Sequence, residues 1–255
     1  MRAFHFARPL EYRLEIPSDD VMQGSLLQGT LTLVSQDTQR RTDLRLELGL
    51  AAGAFKPVKE QGVSAMEFLE RHVLADNFAI EPQGKKTVPW SLSLRMDCPI
   101  TTKDSGMFLI YGENLDDAAK RGVIDLPVKL APPLETFITT VENHFAFEAR
   151  GRRYSDGFTH VKFKPPTTYP TLEEISVAMR IGEEGLQLQF AAKAKGLARG
   201  PKSGVRSRSM ELERHFPARE YLLANGQPNR ELYRKVIQDV LAEVTPAGLT
   251  TAPPG

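Results

Sequence analysis

The stretch that decides the fold is DLRLELGL, residues 43–50. Leu44, Leu46, Leu48 and Leu50 alternate with Asp43, Arg45, Glu47 and Gly49, so the leucines share one face of a strand. A strand so patterned belongs to a sheet with one face buried and the other wet. The same period recurs on both sides of it. Tyr12, Leu14 and Ile16 alternate with Arg13 and Glu15 before a polar turn at Ser18, Asp19 and Asp20. Leu26, Leu31 and Leu33 mark a strand over 25–34, and Phe108 to Tyr111 and Val123 to Leu130 read as two more. From 88 to 96, Val88, Trp90, Leu92, Leu94 and Met96 alternate with Pro89, Ser91, Ser93 and Arg95, which makes the single Trp a core residue. Residues 62–67 read as an exposed loop, and 68–80 as a strand pair or a short helix.

After Pro132 and Pro133 the period changes, and this pair is taken as the boundary between two domains. Leu134, Ile138, Val141 and Phe145 lie on one face of a helix of about three turns. Strand signals return at 160–163, 175–181 and 185–191, with Gly182, Glu183 and Glu184 as a hairpin turn, and at 209–216 as an edge strand. Asn229 is placed to cap a helix over 230–244 that carries Leu232, Val236, Val240 and Val244 on one face. The tail from 245 to 255 holds three prolines and little to bury, and disorder is expected there.

Composition excludes several functional classes. Lys plus Arg number 33 against 32 Asp plus Glu, so there is no global field for nucleic acid or anionic membrane. Cys98 is the one cysteine, which removes any internal disulfide and suits a reducing compartment. Residues 1–17 are interrupted by charges and lack the apolar core of a secretory signal, so the cytoplasm is expected. No metal set is visible among His5, His72, His144, His160 and His215, since none pair at helical ligand spacing. Cys98, between Asp97 and Pro99, has no cation beside it to activate a thiolate, and the glycines form no phosphate-cradling loop. Glu113, Asp116 and Asp117 are the densest acidic spot of the first half, read as a solvated loop because calcium-ligand spacing is lacking. No catalytic, cofactor-binding or metal-binding residue is therefore assigned. An enzymatic reading needs a deep pocket where Glu113, Asp116, His144 or His160 converge.

One segment departs from charge balance. Lys193, Lys195, Arg199, Lys202, Arg206 and Arg208 lie in sixteen residues without an acid, among Gly196, Gly200, Pro201 and Gly204, which mark a loop. Two readings stand: a solvated hairpin loop whose charge keeps a sheet edge from pairing, or a cationic arm for anionic lipid. Nucleic acid is not expected, because no aromatic residue interleaves with the basic ones to stack on bases.

The order of these elements, with Gln23, Gly24 and Ser25 leading into Gly29 and Thr30, then VPWSLSL at 88–94 and CPITT at 98–102, resembles arrestin-like proteins, and most closely the SpoOM sporulation-control family. ENLDDAAKRGVIDLPVKLAPP at 113–133 and LEEISVAMRIGEEGLQLQFAAKAKGLARG at 172–200 are similar to further segments of that family. The resemblance implies a mainly β chain of two tandem arrestin-like β-sandwich domains. The first covers 1–133. The second covers 134–244, with a short linker helix and a C-terminal helix. It also implies a non-enzymatic regulatory or scaffold protein of the bacterial cytoplasm that binds protein partners, without a cofactor. The surface favoured for a partner is the cleft between the halves or the edge strand at 209–216. The alternative is peripheral membrane association through the basic loop 193–208.

Overall fold

The computed structural model describes residues 1–197 and 205–245, with backbone alone at 196, 197, 205 and 206. The chain is mainly β and divides into two compact units, Met1–Lys129 and Leu130–Gly255.

In the first unit the alternating segments become β1 (Arg2–Ala7), β2 (Leu10–Glu15), β3 (Val21–Met22), β4 (Leu26–Ser35), β5 (Arg41–Ala54), β6 (Met66–Ile80), β7 (Lys85–Ser93), β8 (Ser105–Gly112), β9 (Arg121–Leu126) and β10 (Val128–Lys129). Two four-stranded antiparallel sheets, ordered β1-β2-β4-β7 and β6-β5-β8-β9, carry most of them. Their inner faces share one core, in which Tyr12, Leu14, Leu31, Leu33 and Trp90 meet Leu44, Leu46, Leu48, Met107 and Leu109. This unit is a β-sandwich. The four leucines of 43–50 are all buried, as their spacing requires.

Trp90 is buried and sits opposite Gly29 across the β4–β7 ladder. A Cβ on Gly29 would lie 2.5 Å from the indole Cζ2 and 2.3 Å from the Glu15 carbonyl oxygen. The ring therefore takes the space that a side chain would fill, and the position requires glycine. Residues 66–80 form a single long strand, β6, rather than a strand pair or a helix. The stretch expected as an exposed loop is a 3-10 turn, Gly62–Ala65, preceded by α1 (Phe55–Gln61). α1 buries no residue fully, which is why apolar periodicity did not reveal it.

The second unit runs α2 (Pro132–Phe145), β11 (Glu148–Ser155), β12 (Phe158–Lys164), β13 (Leu172–Gly182), β14 (Gly185–Leu197), β15 (Val205–Phe216), α3 (Ala218–Tyr221) and α4 (Arg230–Val244). Pro132 and Pro133 lie in the first turn of α2, where the backbone N–H groups have no helical partner and proline removes nothing. The strands form one antiparallel meander in the order β11-β12-β13-β14-β15. Here the structure differs from the second sandwich implied by the resemblance: among the described residues there is one sheet, and helices lie against it. Phe137 of α2 meets Phe190 of β14 at 6.2 Å and Tyr233 of α4 at 5.6 Å, both edge to face. The physical reason lies in two apolar stripes, Leu134, Phe137, Ile138 and Val141 on α2 and Val236, Ile237, Val240 and Leu241 on α4, all buried. Such stripes can hide one face of a sheet as completely as a second sheet does.

Helix α4 spans the expected residues, and the Asn229 side chain accepts from the Leu232 N–H at 3.3 Å. Thr245, assigned to a disordered tail on sequence, is buried, and its hydroxyl donates to the Leu241 carbonyl. The rest of that tail, 246–255, lies outside the described residues.

Two substitutions test the Trp90–Gly29 contact. Trp90→Ala is expected to cost about 3–5 kcal/mol in urea denaturation through lost burial and a residual cavity. Gly29→Ala is expected to cost about 1–3 kcal/mol by overpacking. A loss below about 1 kcal/mol for Trp90→Ala would place the ring in solvent instead.

Candidate binding surface

In the second unit the strands alternate between two faces. Val161, Phe163, Ile175, Val177, Met179, Leu188 and Phe190 are buried, while Lys162, Gln189, Ala191, Glu211 and Glu213 are exposed. Cross-strand pairing sets the exposed residues in rows. One row reads Arg153, His160, Ala178, Gln189, Glu213 from β11 to β15, and the next reads Arg150, Lys162, Ser176, Ala191, Glu211. Cations thus stand on one side, carboxylates on the other and small residues between. The middle forms an open trough of about 510 Å³ lined by His160, Ser176, Ala178, Gln189, Glu211 and Glu213.

Arg150 and Arg153 are an odd number apart, and an unbroken strand would send them to opposite faces. A bulge at Gly151, whose φ is +72°, shifts the register between Arg150 and Arg152 and brings both onto the trough side. Arg152 turns to the other face and makes a two-pronged ion pair with Glu135 of α2, at 2.6 and 2.8 Å.

The basic arm is distributed differently from the expectation. β14 runs to Leu197 and β15 begins at Val205, so Lys193, Lys195, Arg206 and Arg208 belong to a strand ribbon and not to a loop. Lys193 and Lys195 are exposed on the trough side of β14. Arg208 is exposed but sits opposite Ala194, which is buried on the helix side, so it projects to the other face. Arg206 pairs with Gly196 through the backbone, and Arg199 and Lys202 lie outside the described residues. The described cations therefore do not gather on one face, because proximity along a strand alternates sides.

The candidate catalytic groups each have local partners. In the first unit Glu113 accepts from Lys120 Nζ at 3.1 Å and Asp116 holds Arg71 through both oxygens at 2.8 and 2.9 Å. The Arg71 guanidinium keeps the Asp116 carboxyl below the usual range. In the second unit His160 Nε2 lies 3.0 Å from Ser155 Oγ, and the His144 ring stands edge-on to Phe145 at 4.9 Å. Among the described residues no group of three His, Cys, Asp or Glu side chains is placed to hold a metal ion, and no helix is long and apolar enough to cross a membrane. The trough escaped sequence reasoning. Its polar alternation in β12–β14 was readable, but the left-to-right order of its charges depends on strand order.

A β-sandwich followed by a helix-backed antiparallel meander defines a β-rich protein of two units. The SpoOM protein family model matches residues 13–196, and the chain belongs to that family. The crystal structure of Spo0M, the sporulation control protein of Bacillus subtilis, is similar with a TM-score of 0.63 at 15% identity, covering 92% of this chain and 98% of that one. A DNA-bound alkylpurine DNA glycosylase, AlkC, from Pseudomonas fluorescens reaches a TM-score of 0.32 at 15% identity over 48% of this chain and 30% of its own, too low to support an argument. No curated protein matches the chain in sequence.

Cys98 is buried at 5% exposure. Burial, with a smaller contribution from the Asp97 charge, pushes its thiol up to about 12 from an ordinary 9.0. Below 9.0 the folded and unfolded chains both keep the proton. Above it the unfolded chain ionises first, so stability falls as pH rises from 9.0 towards 12. Burial also raises Tyr12, Tyr111 and Tyr233, which act in the same direction at higher pH. The urea midpoint is expected to drop between about pH 8 and about pH 10, and Cys98→Ala to lessen the drop. An equal drop in the variant would remove Cys98 from this account. Folded protein is also expected to resist iodoacetamide, read by mass spectrometry, until urea opens the sandwich.

Proposed function

We propose that the chain is a non-enzymatic regulatory or scaffold protein of the bacterial cytoplasm, of the sporulation-control type, that engages protein partners along the edge of its second sheet. The observation that carries this reading is β15. It has twelve residues, pairs on one side with β14 through twelve register positions without a shift, and has no strand on its other side among the described residues. A regular free edge accepts an extended segment through main-chain hydrogen bonds, with alternate side chains supplying selectivity. Met210 and Leu212 are half-buried on one face of that edge, and Glu211 and Glu213 are exposed on the other. Family membership supports the regulatory part, because the Bacillus subtilis relative is a sporulation control protein.

Consecutive N–H groups of a strand point to opposite sides, so Glu211→Pro and Leu212→Pro each remove a different donor: one inside the ladder, one at the free edge. The variant that keeps the native far-UV spectrum is expected to lose the partners marked by proximity labelling in the native host. A partner set unchanged in that variant, or no specific partner at all, overturns the reading.

A second reading, transient attachment to anionic lipid, draws on the exposed Lys193, Lys195 and Arg208 near one end of the β14–β15 ribbon. Each cation near an anionic surface contributes about 1 kcal/mol. Co-sedimentation with phosphatidylserine vesicles is then expected to weaken with salt and with neutralisation of all six basic residues. Binding indifferent to both refutes it.

A further inference from the structure

We propose that the trough face of the second sheet is a self-association surface, on which a second copy of this chain stacks about a two-fold axis running along β13. The argument begins with the antisymmetry of the charges. β13 is the central strand of five, so rotation by half a turn about an axis lying over it and parallel to it exchanges β11 with β15 and β12 with β14 while keeping each row in place. In the first row Arg153 then faces Glu213 of the second copy, His160 faces Gln189 of the second copy, and Ala178 lies on the axis. In the next row Arg150 faces Glu211 of the second copy and Ser176 lies on the axis. Each contact occurs twice, giving four charge-matched pairs from two rows.

The third row is mixed in charge and adds no matched pair of its own. Glu174 stands on the central strand opposite Lys193, and Lys164 lies on β12 two residues beyond Lys162. Glu148 on β11 lies opposite Lys164, so stacking brings four glutamates and four lysines together. Lys164 faces Lys193 of the second copy, and each of these lysines has a glutamate beside it, Glu148 or Glu174. Sheets packed face to face lie about 10 Å apart, a gap that an opposed Arg and Glu span at the flanks while Ala178, Ser176 and Ala191 keep the middle open to the longer His160 and Gln189. Among the described residues Arg153 and Glu211 make no ion pair within the chain, and Arg150 reaches only Glu148, at 3.8 Å. The Gly151 bulge is what puts both arginines on this face.

Size sets the strength expected. A fourth row on this face, with Ser155, Phe158, Gln187 and His215, carries Arg180 on the axis, where its guanidinium lies over the Phe158 ring at 4.4 Å. The two charge-matched rows and the mixed one, on five strands at about 4.8 Å and about 6.8 Å apart, cover on the order of 500 Å² per copy. That is near the lower limit for a specific interface, so the contact is weak, concentration-dependent and salt-sensitive. It differs from the partner edge proposed above, since stacking uses the face and leaves the edge of β15 free.

Sedimentation velocity on the full chain, from micromolar to near-millimolar concentration, is expected to show monomer and dimer in exchange, with added salt favouring monomer. The double variants Arg150→Glu with Arg153→Glu, and Glu211→Arg with Glu213→Arg, are each expected to weaken self-association by about a hundredfold or more. An equimolar mixture of the two is expected to form a mixed dimer, because every opposed pair regains opposite charge. Recovery in the mixture also shows that both variants are folded. A wild-type chain that stays monomeric throughout overturns the proposal and leaves the face for another occupant. A dimer that survives either reversal, or a mixture that stays monomeric, overturns it as well.

Discussion

Every sheet in this protein is greasy on one side, and each must hide that side. In the first unit two sheets hide each other, and the contact between Trp90 and Gly29 sits at the centre of the solution: the largest side chain of the core lies over the residue that has none. In the second unit the same constraint is met by helices. Phe137 of α2 stands between Phe190 of β14 and Tyr233 of α4, so a single aromatic side chain ties sheet and both long helices together. Once the apolar sides are committed in this way, the outward sides of the strands are free to carry charge, and in the second unit that charge is ordered by strand.

How much of this was legible in the sequence depended on whether side chains or backbone did the stabilising. β5 was plain, because its four leucines supply the burial that holds it in place. So was α4, whose cap and apolar stripe are both local signals. β1 was hidden for the opposite reason: its aromatic residues Phe4 and Phe6 point outward at 56% and 60% exposure, reversing the expected pattern. β11, EARGRRYS, has no apolar alternation and is held by its ladder to β12 and by the Arg152–Glu135 pair. Edge strands such as these draw support from one neighbour's hydrogen bonds, which leave no mark in a hydropathy pattern.

The candidate surface was legible in the same partial way. The basic residues between 193 and 208 were conspicuous as a run, yet a run along a strand is divided between two faces, and Lys195 and Arg208 project to opposite sides of the ribbon. The trough had no run to announce it. Its residues come from five strands spread from Arg150 to Glu213, and only strand order brings them into rows. The mainly β class was legible from the resemblance, whereas the cover of the second unit's one sheet among the described residues is set by the stripes on α2 and α4.

Two long border strands, β6 and β15, differ in what they offer an arriving strand. β6, fifteen residues long, borders the first unit's second sheet, and its ladder to β5 slips register at four places. A bent and slipping border gives an arriving strand no straight run of donors and acceptors, whereas β15 is even along its whole length. Of these two borders among the described residues, one is a regular run of backbone donors and acceptors and the other an interrupted one.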